Sequence, residues 1–436
     1  MQADNSSGFA KNERALIVKA TIKGRREIED PLAEITRLAE TAGAIVVGSM
    51  VQNLARPHPA TYIGKGKVTE LASLSQSLDV DVVITDNDLS PAQERNLEKL
   101  TERKVVDRSQ LIMDIFSRRA RTRQAKLQVE LAQLKYSLPR LKRLWTHLSR
   151  YEGGIGMQGP GETQLEEDKR IVRTRVQKLE RDLRDLEGQR EASFLHRRNE
   201  FVIALVGYTN AGKSTLLNRL TGSEELVEDK LFATLDTRVR RWLVEDNRHV
   251  LVSDTVGFIR ELPHHLVASF QATLTETQYA DLLFHVVDAS STEALQQMKT
   301  VRRVLEDLEC QEKETWVLFN KWDAIPPDRL PEARNLSEHL LPRERAFEVS
   351  AVTSQGIPAI REALVDRLHG KDRNLEVLIP HSRGEILAYI RENGRLLSTE
   401  YLTEGALVKA AMSPARLGKL RTLYPEGFPP EPPEVG

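Results

Sequence analysis

The sequence predicts a multidomain α/β protein. An N-terminal α/β domain and a larger α/β domain are separated by a long antiparallel helical pair and followed by a small α+β domain. Three observations lead there. Short apolar runs alternate with helical patterns over residues 15–115, a charged helix-patterned stretch replaces them over 116–200, and the alternation returns more strongly from Phe201. A βαβα rhythm of this kind suits a parallel sheet with crossover helices, and 436 residues suffice for roughly two to four domains with cores of their own.

In the first domain "ALIVKATI" (15–22), "AIVVGSMV" (44–51), "VDVVITD" (80–86) and "KVVD" (104–107) read as strands. Between them "DPLAEITRLAETAG" and "SPAQERNLEKLTER" read as helices, the second opened by Ser90 as cap and Pro91 at the first helical position. Residues 1–14 are expected to be flexible. The helical pair then occupies 116–200, with a glycine loop "EGGIGMQGPGETQLEEDKR" between "SRRARTRQAKLQVELAQLKYSLPRLKRLWTHLSRY" and "RIVRTRVQKLERDLRDLEGQREA". Val172, Val176, Leu179, Leu183 and Leu186 have heptad-like spacing in the second helix. The second α/β domain covers 201–370. Residues 371–424 read as βαββα, and 425–436, acidic and proline-rich, as a disordered tail.

Lys and Arg number 63 against 64 acidic residues, so any attraction to nucleic acid must come from local patches. The single cysteine, Cys310, excludes an internal disulfide framework and fits a reducing cytosol. "MQADNSSGFAKNERA" lacks the apolar core of a signal peptide, and no apolar run approaches the ~20 residues of a membrane span. The expectation is a cytoplasmic monomer without a membrane anchor.

The chemistry lies in the second α/β domain. "GYTNAGKST" (Gly207, Tyr208, Thr209, Asn210, Ala211, Gly212, Lys213, Ser214, Thr215) follows an apolar strand and opens a helix, the context of a phosphate-binding loop. Small residues let backbone N–H groups converge on a phosphate at a helix N-terminus. Lys213 would reach the β- and γ-oxygens and Ser214 would ligate Mg²⁺. In "DTVG", Asp254 is placed for a water-mediated contact to Mg²⁺ and Gly257 for a γ-phosphate, with Thr255 and Val256 between them. In "NKWD", Asp323 can accept from both the ring N–H and the amino group of guanine. Asn320 braces the phosphate loop, Lys321 lies over the base, and Trp322 sits between them. Adenine offers no such donor pair, a difference that can discriminate by as much as ~10⁴–10⁵-fold. "SAV" (Ser350, Ala351, Val352) offers a backbone N–H to the guanine oxygen. Four stretches in this order, each at the C-terminal end of a strand, imply a P-loop GTPase domain binding GTP. The first switch, "LFATLDTRVRR", offers Thr234 and Thr237 as magnesium ligands, and position alone does not choose between them.

"GYTNAGKST", "LFATLDT", "DTVGFIRELP" and "NKWD", with "GGIGMQGPGETQLE" before them, resemble the HflX family of translational GTPases, in the Obg–HflX group. The resemblance implies that Thr234 is the second magnesium ligand, within a nucleotide-contacting run Phe232, Ala233, Thr234, Leu235 and Asp236. It also implies that Lys213, Thr234 and Gly257 carry catalysis. Thr237 stands where the family often has proline, which implies a looser switch.

Phe258 occupies the position after Gly257, where many GTPases hold the group that aims the attacking water. A phenyl ring cannot hydrogen-bond water, so its expected role is to pack against the domain and anchor the switch. Asn210 is a candidate potassium ligand that would place charge between the α- and γ-phosphates, or else a cap of its turn. The other source of help is a partner that remodels the switches, giving a low basal rate stimulated by ribosomes.

Residues 117–151 carry Arg118, Arg119, Arg121, Arg123, Lys126, Lys135, Arg140, Lys142, Arg143 and Arg150 against the single acid Glu130. Such a concentration attracts phosphate backbones, with Tyr136, Trp145 and Tyr151 as candidate stacking groups. The loop glycines Gly153, Gly154, Gly156, Gly159 and Gly161 suit entry into a narrow RNA cleft. The resemblance implies the partner: the large ribosomal subunit and its RNA, bound so as to dissociate or rescue ribosomes. An assembly factor whose nucleotide state gates RNA binding without subunit splitting is the alternative. Gly64, Lys65, Gly66 and Lys67 precede a helix and mark either a phosphate site or a basic turn. The resemblance links that region to ATP use. Control of a membrane protease, a third reading, finds no membrane-facing amphipathic stretch in the sequence.

Overall fold

The computed structural model describes residues 12–22, 30–143, 160–196, 200–223, 231–232, 238–245, 248–260 and 276–428. In the N-terminal domain β1 (Arg14–Ile22), β2 (Ile45–Leu54), β3 (Val82–Thr85) and β4 (Lys104–Val106) form an all-parallel sheet in the order β2-β1-β3-β4. The central strands β1 and β3 are buried on both faces, as in parallel sheets generally, while the edge strand β2 is largely half-buried or exposed. Leu16, Val18 and Val83 meet α2 (Lys65–Ser77) and α3 (Pro91–Thr101) on one side. Ile17, Ile84 and Val106 meet α1 (Ala33–Thr41) and α4 (Arg108–Arg119) on the other. Ser90 and Gln93 form a capping box ahead of Pro91, which fixes the start of α3.

The helical region departs from its expected boundaries. α4 runs across residue 115, and the chain turns at Ala120 before Thr122 caps α5 (Arg123–Ser137). A 3-10 turn, Leu138–Arg143, follows at Pro139. α6 spans Pro160–His196, so "PGETQLEEDKR" is helix and not loop, and Gly161 lies inside it. Proline at a first helical position costs no hydrogen bond and presets φ, which explains a start there despite the adjacent glycine. α5 and α6 meet through Leu131, Leu179 and Leu183, flanked by Leu127, Leu134 and Val176, while Val172 and Leu186 are half-buried outside that seam.

The second α/β domain has a six-stranded sheet in the order β10-β9-β8-β5-β7-β6. β5 (Val202–Gly207), β7 (Arg248–Asp254), β8 (Leu282–Asp288), β9 (Thr315–Asn320) and β10 (Glu344–Glu348) are parallel. β6 (Arg238–Glu245) is an unforeseen antiparallel edge strand that turns Trp242 and Val244 into the core. α7 (Lys213–Thr221) and the helix Ile357–His369 cover one face, and the helix Ala294–Asp307 covers the other. The C-terminal unit is an antiparallel sheet, β11 (Arg373–Pro380), β13 (Gly405–Met412) and β12 (Arg395–Leu402) in spatial order, with two helices on one face. Residues 429–436 of the expected tail lie outside the described residues.

Candidate functional site

The phosphate loop leaves β5 between two parallel neighbours, at the C-terminal edge of the sheet where ligands bind. Its backbone needs its glycines. Gly212 has φ +93, and a Cβ there would lie 2.3 Å from the side-chain nitrogen of Asn320. Asn210 takes the left-handed conformation at φ 62, which asparagine tolerates better than most residues. Lys213 opens α7 and donates to the carbonyls of Gly207 at 3.0 Å and Tyr208 at 2.8 Å. Two of its three N–H bonds thereby fix the ammonium over the loop. Burial lowers its pKa to about 8, opposed by the charge of Asp254. Ser214 donates to Asp254 at 2.7 Å, so a hydroxyl and a carboxylate oxygen are side by side at the helix start. An all-oxygen pair of this kind suits Mg²⁺.

The segment after β7 is zipped to the loop. The Thr209 N–H donates to the Phe258 carbonyl at 2.7 Å and the Phe258 N–H to the Gly207 carbonyl at 3.1 Å. Thr255 bonds the Leu205 carbonyl at 2.6 Å. Gly257 is pressed between neighbours: a Cβ would lie 2.8 Å from the Thr209 methyl and 2.9 Å from the Lys213 ammonium. Phe258 is 2 % exposed, and its ring packs with Val202, Val206, Leu283 and Val301, the anchoring role the sequence suggested.

The base-reading residues converge as well. The side-chain amide of Asn320 donates to the Ala211 carbonyl at 2.9 Å, and its oxygen accepts the Ala351 N–H at 3.0 Å. One buried side chain thus joins the phosphate loop to the "SAV" segment. Lys321, in the left-handed conformation at φ 61, pairs with Asp288 at 2.7 Å. Trp322 is core, and Asp323 is exposed with its carboxylate available to a base. Ser350 caps its own turn through the Thr353 N–H, and Val352 is exposed. Arg219 was not foreseen; it donates to the carbonyls of Ala351 and Val352 at 3.0 and 2.7 Å, tying the base-reading segment to α7. Phe232 is buried, whereas Ala233, Thr234, Leu235, Asp236 and Thr237 lie outside the described residues.

The N-terminal domain closes on this site, which no local motif announced. Leu231, Phe232, Tyr208, Val256 and Ile259 share one core with Ile35, Leu38, Ile112 and Phe116, with the rings of Phe116 and Phe232 edge-on at 4.6 Å. A buried ionic network crosses the same interface. Arg108 bonds Glu34, Asp86 and, at 2.7 Å, the Arg260 carbonyl; Tyr208 donates to Glu34 and accepts the Arg260 N–H at 2.7 Å. Burial alone would raise the Glu34 carboxyl, but Arg108 and Arg260 hold it below its ordinary value.

The basic set divides. Arg140 is committed internally: it bonds Glu94 at 3.1 Å, the carbonyls of Leu89 and Tyr136, and Asp107, and it stacks 3.4 Å over the Tyr136 ring. Both residues are therefore structural and not RNA contacts. Arg118 bonds the Ala42 carbonyl at 2.6 Å and pairs with Asp114. Lys135 of the run pairs with Glu180 of α6, whereas the run's single acid, Glu130, is taken by Arg175 of α6. Arg119 ends α4, while Arg121, Arg123 and Lys126 stand exposed around the start of α5. Lys142 and Arg143 are in the 3-10 turn. Gly153, Gly154, Gly156 and Gly159, with Trp145 and Tyr151, lie outside the described residues. The helix α2 begins at Lys65, so Gly66 and Lys67 are already in its first turn. There Lys67 pairs with Glu70 and the Gly64 N–H is taken by Gln52.

Comparison with known proteins agrees with this geometry. Residues 29–117 match the family model described as GTP-binding GTPase N-terminal, 119–197 the GTP-binding GTPase middle region, and 202–321 the 50S ribosome-binding GTPase. The GTPase HflX of Caldanaerobacter subterraneus is 42% identical over 403 residues, 92% of this chain and 91% of the relative. That of Escherichia coli K12 is 43% identical over 376 residues, 86% of this chain and 87% of the relative. Both likenesses cover most of each chain, and the chain belongs to the HflX family of GTPases, which bind and hydrolyse GTP.

Proposed function

We propose that this GTPase uses its nucleotide state to govern association with the large ribosomal subunit, and that the GTP-bound form dissociates or rescues ribosomes. The observation that carries this reading is the match of its nucleotide domain to the 50S ribosome-binding GTPases. The exposed Arg121, Arg123 and Lys126 beside the helical region support it, since cations there suit ribosomal RNA.

Hydrolysis requires positioning and electrostatics and no covalent intermediate. Lys213 is fixed over the loop by two carbonyls, and its ammonium would meet the phosphates there. Ser214 would hold Mg²⁺ directly and Asp254 through a water, with Thr234 as the further direct ligand. The ion, when bound, neutralises charge on the β- and γ-oxygens. Asn210, held in a left-handed turn, is the residue that would take potassium.

The test is GTP hydrolysis with and without purified large subunits, in potassium and in sodium buffers, alongside light scattering of intact ribosomes. Subunit stimulation with a GTP-dependent fall in scattering is expected. Subunit binding without a change in rate or scattering would replace this reading with the assembly-factor one. Equal rates in the two salts would remove potassium from Asn210.

A further inference from the structure

Phe258 leaves a chemical vacancy. Its ring is in the core, so nothing at its position can hold the attacking water. The structure offers another group within the same ladder. Thr209, third in the phosphate loop, is 6 % exposed, and its hydroxyl oxygen is buried without a hydrogen-bond partner. A buried hydroxyl left unpaired costs stability and calls for an explanation. Its neighbours give no structural one. The hydroxyls of Tyr208, Ser214 and Thr255 are all engaged, with Glu34, Asp254 and the Leu205 carbonyl.

The position of Thr209 supplies the explanation. Its N–H is bonded to the Phe258 carbonyl, which holds it against the segment that senses the γ-phosphate. Its methyl and the Lys213 ammonium both flank the face of Gly257 where a Cβ would project. Rotation about χ1 by one staggered step brings the hydroxyl to where the methyl now stands and carries the methyl to the position of the Cβ hydrogen. The hydroxyl then faces the space beside Gly257 and Lys213, and it gives up no bond in doing so.

We propose that Thr209 is a catalytic residue of GTP hydrolysis, its hydroxyl orienting the attacking water against the γ-phosphate. The inference rests on the GTP site described above. The water oxygen forms the new bond to phosphorus as the bridging oxygen departs with GDP, and the water proton passes to the γ-phosphate oxygens. Thr209 accepts one hydrogen bond from the water and donates one to the phosphoryl group, with no net proton transfer through it.

Thr209→Val keeps the shape and removes the hydroxyl; Thr209→Ser keeps the hydroxyl. The experiment measures single-turnover GTP hydrolysis, affinity for fluorescent GDP and GTP analogues, and melting temperature for the full-length chain. Thr209→Val is expected to melt no lower than the parent and to bind both nucleotides within about 3-fold. Its hydrolysis should be slower by about 10- to 100-fold, the worth of a hydrogen bond to a charged group, with Thr209→Ser close to the parent rate. Parent-like hydrolysis by Thr209→Val overturns the proposal, and so does an equal loss in both variants, which would assign the effect to packing. Failure of the parent chain to bind GTP is read separately in the affinity measurement and would remove the site itself.

Discussion

The hydroxyl of Tyr208 donates to Glu34 and accepts the Arg260 N–H at 2.7 Å, so one oxygen joins the phosphate loop, the segment after β7 and the N-terminal domain. The Arg260 carbonyl is held from the same side by Arg108 at 2.7 Å. The carbonyl of a residue two positions beyond Phe258 is thus clamped by the neighbouring domain, and its N–H by a phosphate-loop tyrosine that is itself bonded to that domain. Movement of this segment with the nucleotide must break or carry that clamp.

Tyr208→Phe should loosen it selectively. Glu34 keeps Arg108 and Arg260, while the Arg260 N–H loses its acceptor. A loss of about 1–2 kcal/mol is expected in urea unfolding, together with faster release of fluorescent GDP. An unchanged release rate would show that the clamp does not bear on the nucleotide.

Arg108→Met should be far more damaging. Arg108 is 4 % exposed and bonds both Glu34 and Asp86, so its removal takes one cation from each of two buried carboxylates and leaves them only Arg260 and Lys19. Breaking one side of such a network costs about 3–5 kcal/mol. Glu34→Gln in the same background should recover part of that loss, and a double-mutant cycle reads the coupling. Strictly additive effects would mean that the two residues act independently.

Lys213 makes nucleotide affinity depend on pH. Its pKa in the nucleotide-free protein is about 8, and phosphate oxygens favour the charged amine, so binding raises the pKa and takes up a proton wherever the free lysine is neutral. Affinity for GDP should be flat below about 8 and fall as pH rises through it, by up to about tenfold per unit. The nucleotide-free fold responds in the opposite sense. The unfolded chain binds the extra proton between about 8 and the ordinary lysine value of 10.5, so stability rises with pH there. Titration of GDP affinity by fluorescence, beside unfolding across the same pH range, separates the two signs.

The nucleotide site was legible in the sequence because its chemistry belongs to short strings whose backbone does the binding. Gly212 must be glycine to clear Asn320, and Asn320 must be asparagine to bond Ala211 and Ala351 together. What was missed lies at long sequence separation. Glu34 meets Tyr208 across 174 positions, and Arg219 meets Val352 across 133, with no local pattern to mark either. The start of α6 was misread because glycines surround Pro160 and outweighed its suitability as a first helical residue. β6 was hidden by the switch motif that precedes it, although Trp242 and Val244 alternate as a half-buried strand should.

Arg140 tests the same distinction between local pattern and long-range partner. Within the basic run it resembles its neighbours, yet its side chain is tied to Glu94, Asp107 and two carbonyls and lies over Tyr136. Asp107 is fully buried, and burial raises its pKa to about 6, so the Arg140 charge is part of what keeps it ionised at neutral pH. Arg140→Ala should therefore lower the melting temperature, with the loss shrinking as pH falls through about 6 and Asp107 takes up a proton. Arg123→Ala with Lys126→Ala should do the reverse. These side chains are exposed, so stability should hold within about 0.5 kcal/mol, while the salt dependence of large-subunit binding becomes shallower by about two phosphate contacts. Binding measured over a salt series for the two variants decides the matter: an undiminished slope in the double variant would place the RNA contact elsewhere on the chain.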